Sequence, residues 1–288
     1  MTDSRVVVTG GNGNLGRATV AALLDAGHEV LILDRAAVAD APCATGVIDI
    51  GDAAALAEPF EGAAAIIHLA AYQAPYEAPH AEVFRNNVSA TYNVMKTAAV
   101  AGVRRVVHVS SVAAYGFLYA PAFWPPEYLP LDEAYPCRPR DPYALAKVFG
   151  EQMADSFVAM SDMTVASLRV TGVNFDPAYA SLPERWKDPG AKIGTFWSYI
   201  DARDAAAALA LAAAADIDGH EIFNIAHPES RYPQETNDLV AEYLPGTRIR
   251  DGFTGHWGGL DVSRARERLG FMARHHWRDV LGEDGKPV

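Results

Sequence analysis

Val6-Val7-Val8-Thr9 runs directly into Gly10-Gly11-Asn12-Gly13-Asn14-Leu15-Gly16, and few local patterns restrict a chain so tightly. An apolar strand meets glycines at 10, 13 and 16. A helical pattern follows at once through Leu15, Ala18, Thr19, Ala22, Leu23 and Ala26. A pyrophosphate needs this arrangement. Gly10 permits the tight turn out of the strand, Gly13 lets the backbone approach phosphates, and Gly16 lets the helix lie close to the sheet. The helix N-terminus then offers unpaired N–H groups and a positive dipole end to the anion. The next apolar run, Val30-Leu31-Ile32-Leu33, ends in Asp34. An acid there bonds both ribose hydroxyls of an adenosine and repels a 2′-phosphate, which points to NAD rather than NADP. Arg35 qualifies this, since a neighbouring cation softens the exclusion.

The rest of the chain continues the rhythm. Apolar runs at Gly46–Ile48, Ala65–Leu69, Val106–Val109 and Val165–Leu168 read as buried parallel strands, with helical patterns at Phe84–Ala101 and Tyr143–Met160 between them. The expected fold is α/β, a doubly wound parallel sheet of Rossmann type with a small C-terminal substrate lobe. Two stretches break the alternation. Phe117 to Pro142 reads as a long loop over a site, and Thr171 to Ser198 mixes Pro, Trp, Arg and Lys. Two short helical patterns, Pro233–Leu244 and Ser263–Leu269, follow in the tail. The expected division is 1–171 as the NAD-binding domain, with 199–226 returning to it, and 172–198 with 227–288 as the lobe.

Composition excludes several classes. A net charge of −12, spread along 288 residues, argues against nucleic acid and anionic membrane as partners. Cys43 and Cys137 have no metal or redox spacing and read as reduced thiols; no metal is expected. Met1 to Arg5 is too short and polar for a signal peptide, and the alanine-rich Ala205–Ala215 is too short to span a bilayer. A soluble cytoplasmic protein is expected.

The chemistry sits in a second constellation, Ser110-Ser111 and Tyr143-Ala144-Leu145-Ala146-Lys147. Tyrosine and lysine four apart share one helical face. A lysine ammonium beside the phenol, with the positive nicotinamide nearby, favours phenolate and brings the tyrosine toward working pH as a general base. Ser111 would hold the same substrate oxygen, and Lys147 the nicotinamide ribose. Arg185, Lys187 and Lys192 are cations in the irregular segment, and Arg185 is the choice for gripping a substrate anion bidentately. Arg203 pairs with Asp201 or Asp204. Tyr115 and Phe117 wall the pocket or pack in the core. His68 and His108 read as packed strand residues, His275 and His276 as surface.

Taken with His68-Leu69-Ala70-Ala71, Asn86-Asn87-Val88, Ala114-Tyr115-Gly116, Tyr199-Ile200-Asp201 and Leu260-Asp261, these motifs resemble the extended short-chain dehydrogenase/reductases, the NAD-dependent sugar epimerase/dehydratase family, over nearly the whole chain. The resemblance implies that Asn12, Asn14 and Leu15 complete the phosphate turn and that Asp49 and Ile50 meet the adenine. It implies that Leu69, Ala70 and Ala71 pass under the cofactor, that Asn86 lies near ribose and phosphate, that Ser110 borders the cofactor, and that Thr171 borders the nicotinamide. It also implies a homodimer through Phe84–Ala101 and Tyr143–Met160. Two departures narrow the reaction. No acid follows Ser111 as in the dehydratases, and Gly172 follows Arg169-Val170-Thr171 where nucleotide-sugar epimerases carry asparagine. The expectation is an NAD-dependent oxidoreductase acting on a secondary alcohol of a sugar, sugar acid or sugar phosphate. The alternatives are a UDP-hexose type epimerase and a non-catalytic NAD-binding sensor.

Overall fold

The computed structural model describes residues 5–288, apart from the side chain of Lys192. Met1–Ser4 and that side chain, both part of the expectations above, lie outside the described residues. In chain order the elements are β1 (Arg5–Thr9), α1 (Asn14–Asp25), β2 (Glu29–Asp34), β3 (Ala44–Val47), α2 (Ala57–Phe60), β4 (Ala65–His68), α3 (His80–Val100), β5 (Arg105–Ser111), β6 (Tyr128–Leu129), α4 (Pro142–Met160), β7 (Thr164–Val170), β8 (Val173–Asn174), α5 (Leu182–Arg185), β9 (Ile200–Asp201), α6 (Ala202–Ala214), β10 (His220–Ile225), α7 (Thr236–Tyr243), β11 (Arg248–Ile249) and α8 (Ser263–Leu269).

Seven strands form one parallel sheet in the order β10-β7-β5-β4-β1-β2-β3. The order reverses between β1 and β4, so a crevice opens at their carboxyl ends, where ligands bind in doubly wound sheets. One apolar core, with Val6, Val8, Ile67 and Leu168, packs against α1 and α6 on one face. Another, with Val7, Ile66, Val94 and Phe157, packs against α3 and α4 on the other. Both faces are covered, so the strands need continuous apolar runs, as the sequence shows.

One strand is added and two expectations change. His220–Ile225 adds the seventh strand beside β7, inside the segment expected to return to the sheet. The stretch 117–142 is not simply a loop over the site. Phe117, Leu129, Leu131 and Tyr135 join Tyr179, Trp197, Tyr232, Trp257 and Trp277 in a separate aromatic core, and β6 pairs with β11. The division at 171/172 therefore does not separate the cores, because Val112–Tyr135 contributes to the lobe. Tyr115 and Phe117 are core residues, 1% and 3% exposed.

The start of α4 is fixed locally. Pro142 opens the helix and the Asp141 side chain accepts from Ala144 N at 2.9 Å, which satisfies one of the donors a helix start leaves free. This cap sets the first turn, and Tyr143 lies within it. Asp141→Ala is expected to lower stability by about 1 kcal/mol, measured by denaturant unfolding.

Candidate active site

The glycine turn is as close as packing allows. Gly10 holds φ +73°, and a Cβ there would stand 2.7 Å from Ala70 N. A Cβ on Gly16 would reach Gly10 O at 2.3 Å. Gly16 thus seats α1 against the turn itself. Gly13 caps α1 with no side-chain hydrogen bond and no acid in the first turn, so the helix start keeps free donors for an anion. Arg17 braces the outside, donating to Asn12 O at 2.7 Å and Asn14 Oδ1 at 2.8 Å.

Two adjoining cavities of about 310 and 330 Å³ open from this turn. Asn12, Asp34, Arg35, Asp49, Ile50, Ala70 and Asn86 line the second. Asn14, Leu15, Gly16, Ser110, Ser111, Tyr143, Lys147 and Thr171 line the first, and Gly10, Gly13, Leu69 and Ala71 belong to both. The Asp34 carboxylate accepts from Asn12 N at 3.1 Å and Arg35 N at 2.7 Å, which fixes it at the strand end. The Arg35 guanidinium lies over the Tyr72 ring, 5.9 Å from its centroid. Asp49 accepts from Gly51 N at 2.9 Å, so it shapes a turn as well as lining the cavity.

The glycine cradle fits a dinucleotide on the structure's own evidence. Side chains at 10 and 16 would collide with backbone, and the Thr171 hydroxyl at the cleft is buried without a partner among the described residues.

At the other end α4 presents Tyr143 and Lys147 one turn apart, both buried. Lys147 Nζ donates to Val109 O at 2.6 Å and stands 5.5 Å from the Tyr143 ring centroid. Ser111 sits at the end of β5, its Oγ accepting from Ala113 N at 3.1 Å. The expected lowering of the phenol needs both the ammonium and the positive nicotinamide. Without the cofactor, burial pushes Tyr143 up to about 12, opposed by the hydrogen bond to the Ser111 hydroxyl. Burial brings Lys147 down to about 8, against the pull of Glu151.

Sequence reasoning missed that glutamate. It lies one turn beyond Lys147 on the same face of α4, a spacing that could have flagged it. Glu151 accepts from Arg169 Nε and Nη at 2.9 and 2.7 Å and from Ser110 Oγ at 2.7 Å. Ser110, expected at the cofactor, therefore lines the cleft while its hydroxyl points to Glu151. Asn87 was matched only as part of a motif. It holds Tyr72 by both N–H and C=O, at 2.9 and 3.0 Å, and so pins the loop after β4. Tyr72, Gln73, Tyr119 and Phe175 line the outer cleft. The Tyr119 ring stands edge-on to Tyr143 with centroids 6.0 Å apart. No periodic signal marks these loop residues.

Arg185 is exposed on α5 and is absent from the cleft lining. Arg203 pairs with Asp201 at 2.8 Å. His68 and His108 are buried as expected. The surface reading of His275 and His276 is corrected: His275 bonds Asp204 at 2.8 Å, and the His276 ring packs 4.4 Å from His227. Among the described residues no group of His, Cys, Asp and Glu is placed to hold a metal ion.

Residues 6–174 match the NAD dependent epimerase/dehydratase family. The chain is 33% identical over 172 residues to an L-arabinose 1-dehydrogenase (NAD(P)(+)) of Haloferax volcanii, covering 58% of this chain and 66% of that one. It is 29% identical over 180 residues to a NAD-dependent glucose-6-phosphate dehydrogenase of the same organism, covering 58% and 68%. It thus spans about two thirds of these curated relatives. MoeE5 in complex with UDP-glucuronic acid and NAD is similar with a TM-score of 0.72 at 26% identity, covering 98% of this chain and 97% of that one.

Removing the Glu151 charge strands a buried guanidinium. Glu151→Gln is expected to destabilise the fold by about 3–5 kcal/mol, read as a lower denaturation midpoint.

Proposed function

The chain belongs to the NAD dependent epimerase/dehydratase family, and we propose that it is an NAD-dependent dehydrogenase of a carbohydrate secondary alcohol. The observation that carries this reading is the meeting of Ser111, Tyr143 and Lys147 with the glycine turn in one cleft. A pure nucleotide sensor needs the turn and Asp34 and has no use for the other three.

NAD is the resident cofactor. Its pyrophosphate belongs at Gly10–Gly16, its adenosine among Asp34, Asp49, Ile50, Leu69, Ala70, Ala71 and Asn86, and its nicotinamide beside Thr171. Bound in its oxidised form, it supplies the acceptor for the hydride leaving the carbinol carbon and a positive charge that favours phenolate. The protein does the rest. Ser111 donates to the substrate oxygen and orients it, and Tyr143 accepts the hydroxyl proton as the carbonyl forms. Lys147 holds the cofactor ribose and keeps a positive field behind the phenol. The lobe built from 172–198 and 227–288, with Val112–Tyr135, closes over the substrate. The absence of an acid after Ser111 and the glycine at 172 favour net oxidation over dehydration or nucleotide-sugar epimerisation.

No helix among the described residues is long and apolar enough to cross a membrane. A cytoplasmic location fits an NAD-linked enzyme with two free thiols. Exposed Tyr92 and Val100 on α3 and Met160 on α4 support a homodimer across those helices.

Tyr143→Phe is expected to abolish NADH formation while NAD still quenches protein fluorescence; full activity in that variant would falsify the mechanism. Because burial holds the phenol above neutrality, oxidation should accelerate as pH rises from about 6 to 9, seen in the kcat/KM profile. Light scattering after gel filtration should give twice the 30.9 kDa chain mass, and a single-chain mass excludes the dimer.

A further inference from the structure

Gly172 stands where the cleft comes nearest to a buried charge that no acid balances. Arg231, six residues past β10, is 4% exposed. Its Nε donates to Trp197 O at 3.4 Å, and one terminal nitrogen donates to Thr195 Oγ1 at 3.2 Å and to Ser198 O. All three acceptors are neutral. Among the described residues no Asp or Glu forms an ion pair with it, and the nearby charged side chain acting on it is another cation, Arg185. Contrast Arg169, whose charge is balanced by the Glu151 carboxylate through two bonds. A desolvated guanidinium without a counter-charge is a costly feature, and an anion that enters with the substrate removes the cost.

The geometry also gives access. Gly172 lines the catalytic cleft beside Thr171. A Cβ built on it would stand 3.5 Å from Arg231 Nη2, the terminal nitrogen that bonds Thr195 and Ser198, so the missing side chain leaves the guanidinium directly behind the cleft wall. Two residues of this region carry hydroxyls with no partner among the described residues. Thr171 Oγ1 and Ser198 Oγ are both buried without a hydrogen-bond partner, and Ser198 carries the carbonyl that Arg231 bonds. A guanidinium without a carboxylate partner, behind a cleft wall where Thr171 and Gly172 adjoin, suits the oxygens of a carboxylate or phosphate.

We propose that Arg231, reached past Gly172, anchors an anionic group on the substrate, so that the enzyme oxidises a carbohydrate bearing a carboxylate or a phosphate in preference to a neutral sugar. This rests on the dehydrogenase reading and narrows it. It also moves the anion-binding role from Arg185 to a residue that sequence inspection passed over.

The test uses the intact protein and matched probes: glucose, glucuronate and glucose 6-phosphate. The first measurement is kcat/KM for NADH formation. The second is the rise in melting temperature that each probe causes with NAD present. One or the other acidic sugar should exceed glucose by about tenfold or more, and which of the two does so identifies carboxylate or phosphate. Arg231→Gln should erase that advantage, mostly through KM, while leaving NAD affinity unchanged. If that variant does not fold, Gly172→Val keeps Arg231 in place and covers it, and should give the same loss. Glucose used as well as both acids, or an advantage that survives both substitutions, overturns the proposal. Thermal stabilisation by an acid that depends on Arg231, without NADH formation, keeps the anion site and rejects the dehydrogenase reading. Neither stabilisation nor turnover rejects both.

Discussion

The buried pair of Glu151 and Arg169 holds the candidate site together. Glu151 stands on α4, Arg169 on β7, and Ser110 on β5 adds a third bond. One carboxylate therefore ties the helix that carries Tyr143 and Lys147 to the two strands whose ends form the floor of the cleft. Such a pair adds little stability over an apolar core of equal volume. What it does add is register. Apolar contacts between α4 and the sheet tolerate small slides, whereas a bidentate guanidinium does not. Arg169 also lies 4.7 Å from the Tyr115 ring centroid and donates to Glu133 O at 3.2 Å, so the same group reaches the lobe. Glu133 in turn accepts from Asn224 N on β10 at 2.7 Å.

The electrostatics of the cleft depend on burial more than on neighbouring charge. Tyr143 and Lys147 move in opposite directions, the phenol up and the ammonium down, because removal from water disfavours the charged form of each. The ammonium meanwhile donates to Val109 O. The two groups are held ready, with the charge that separates them brought by what binds between.

Much of this was legible in the sequence where the physics is local. Turn glycines, an acid ending β2 and a four-residue spacing on a helix each act within a few residues, and such local signals suffice to bring the 10–16 turn, Asp34, Tyr143 and Lys147 to the cleft lining. Strand placement followed too, since buried parallel strands must be apolar throughout. Residues that act across the chain were not legible. Arg231 approaches Gly172 from 59 positions away in the sequence numbering (231 − 172). The cleft residues Tyr119 and Phe175 lie on irregular loops, where no period betrays which way a side chain faces. His276 looked like half of a polar tail dipeptide, yet the C-terminal segment packs Trp277 into the lobe and carries the histidine with it.

The lobe core has one further consequence. Its members come from near 112–135, 179–199, 226–260 and 277–281, interrupted each time by pieces of the sheet domain. No single stretch of chain encloses the substrate. Specificity in this architecture is therefore not portable as a cassette: a chimera that exchanges one segment with a relative mismatches the aromatic packing of the others. Divergence toward a new substrate has to proceed by point changes at the cleft wall, or by coordinated replacement of several distant segments, and the first route is far shorter.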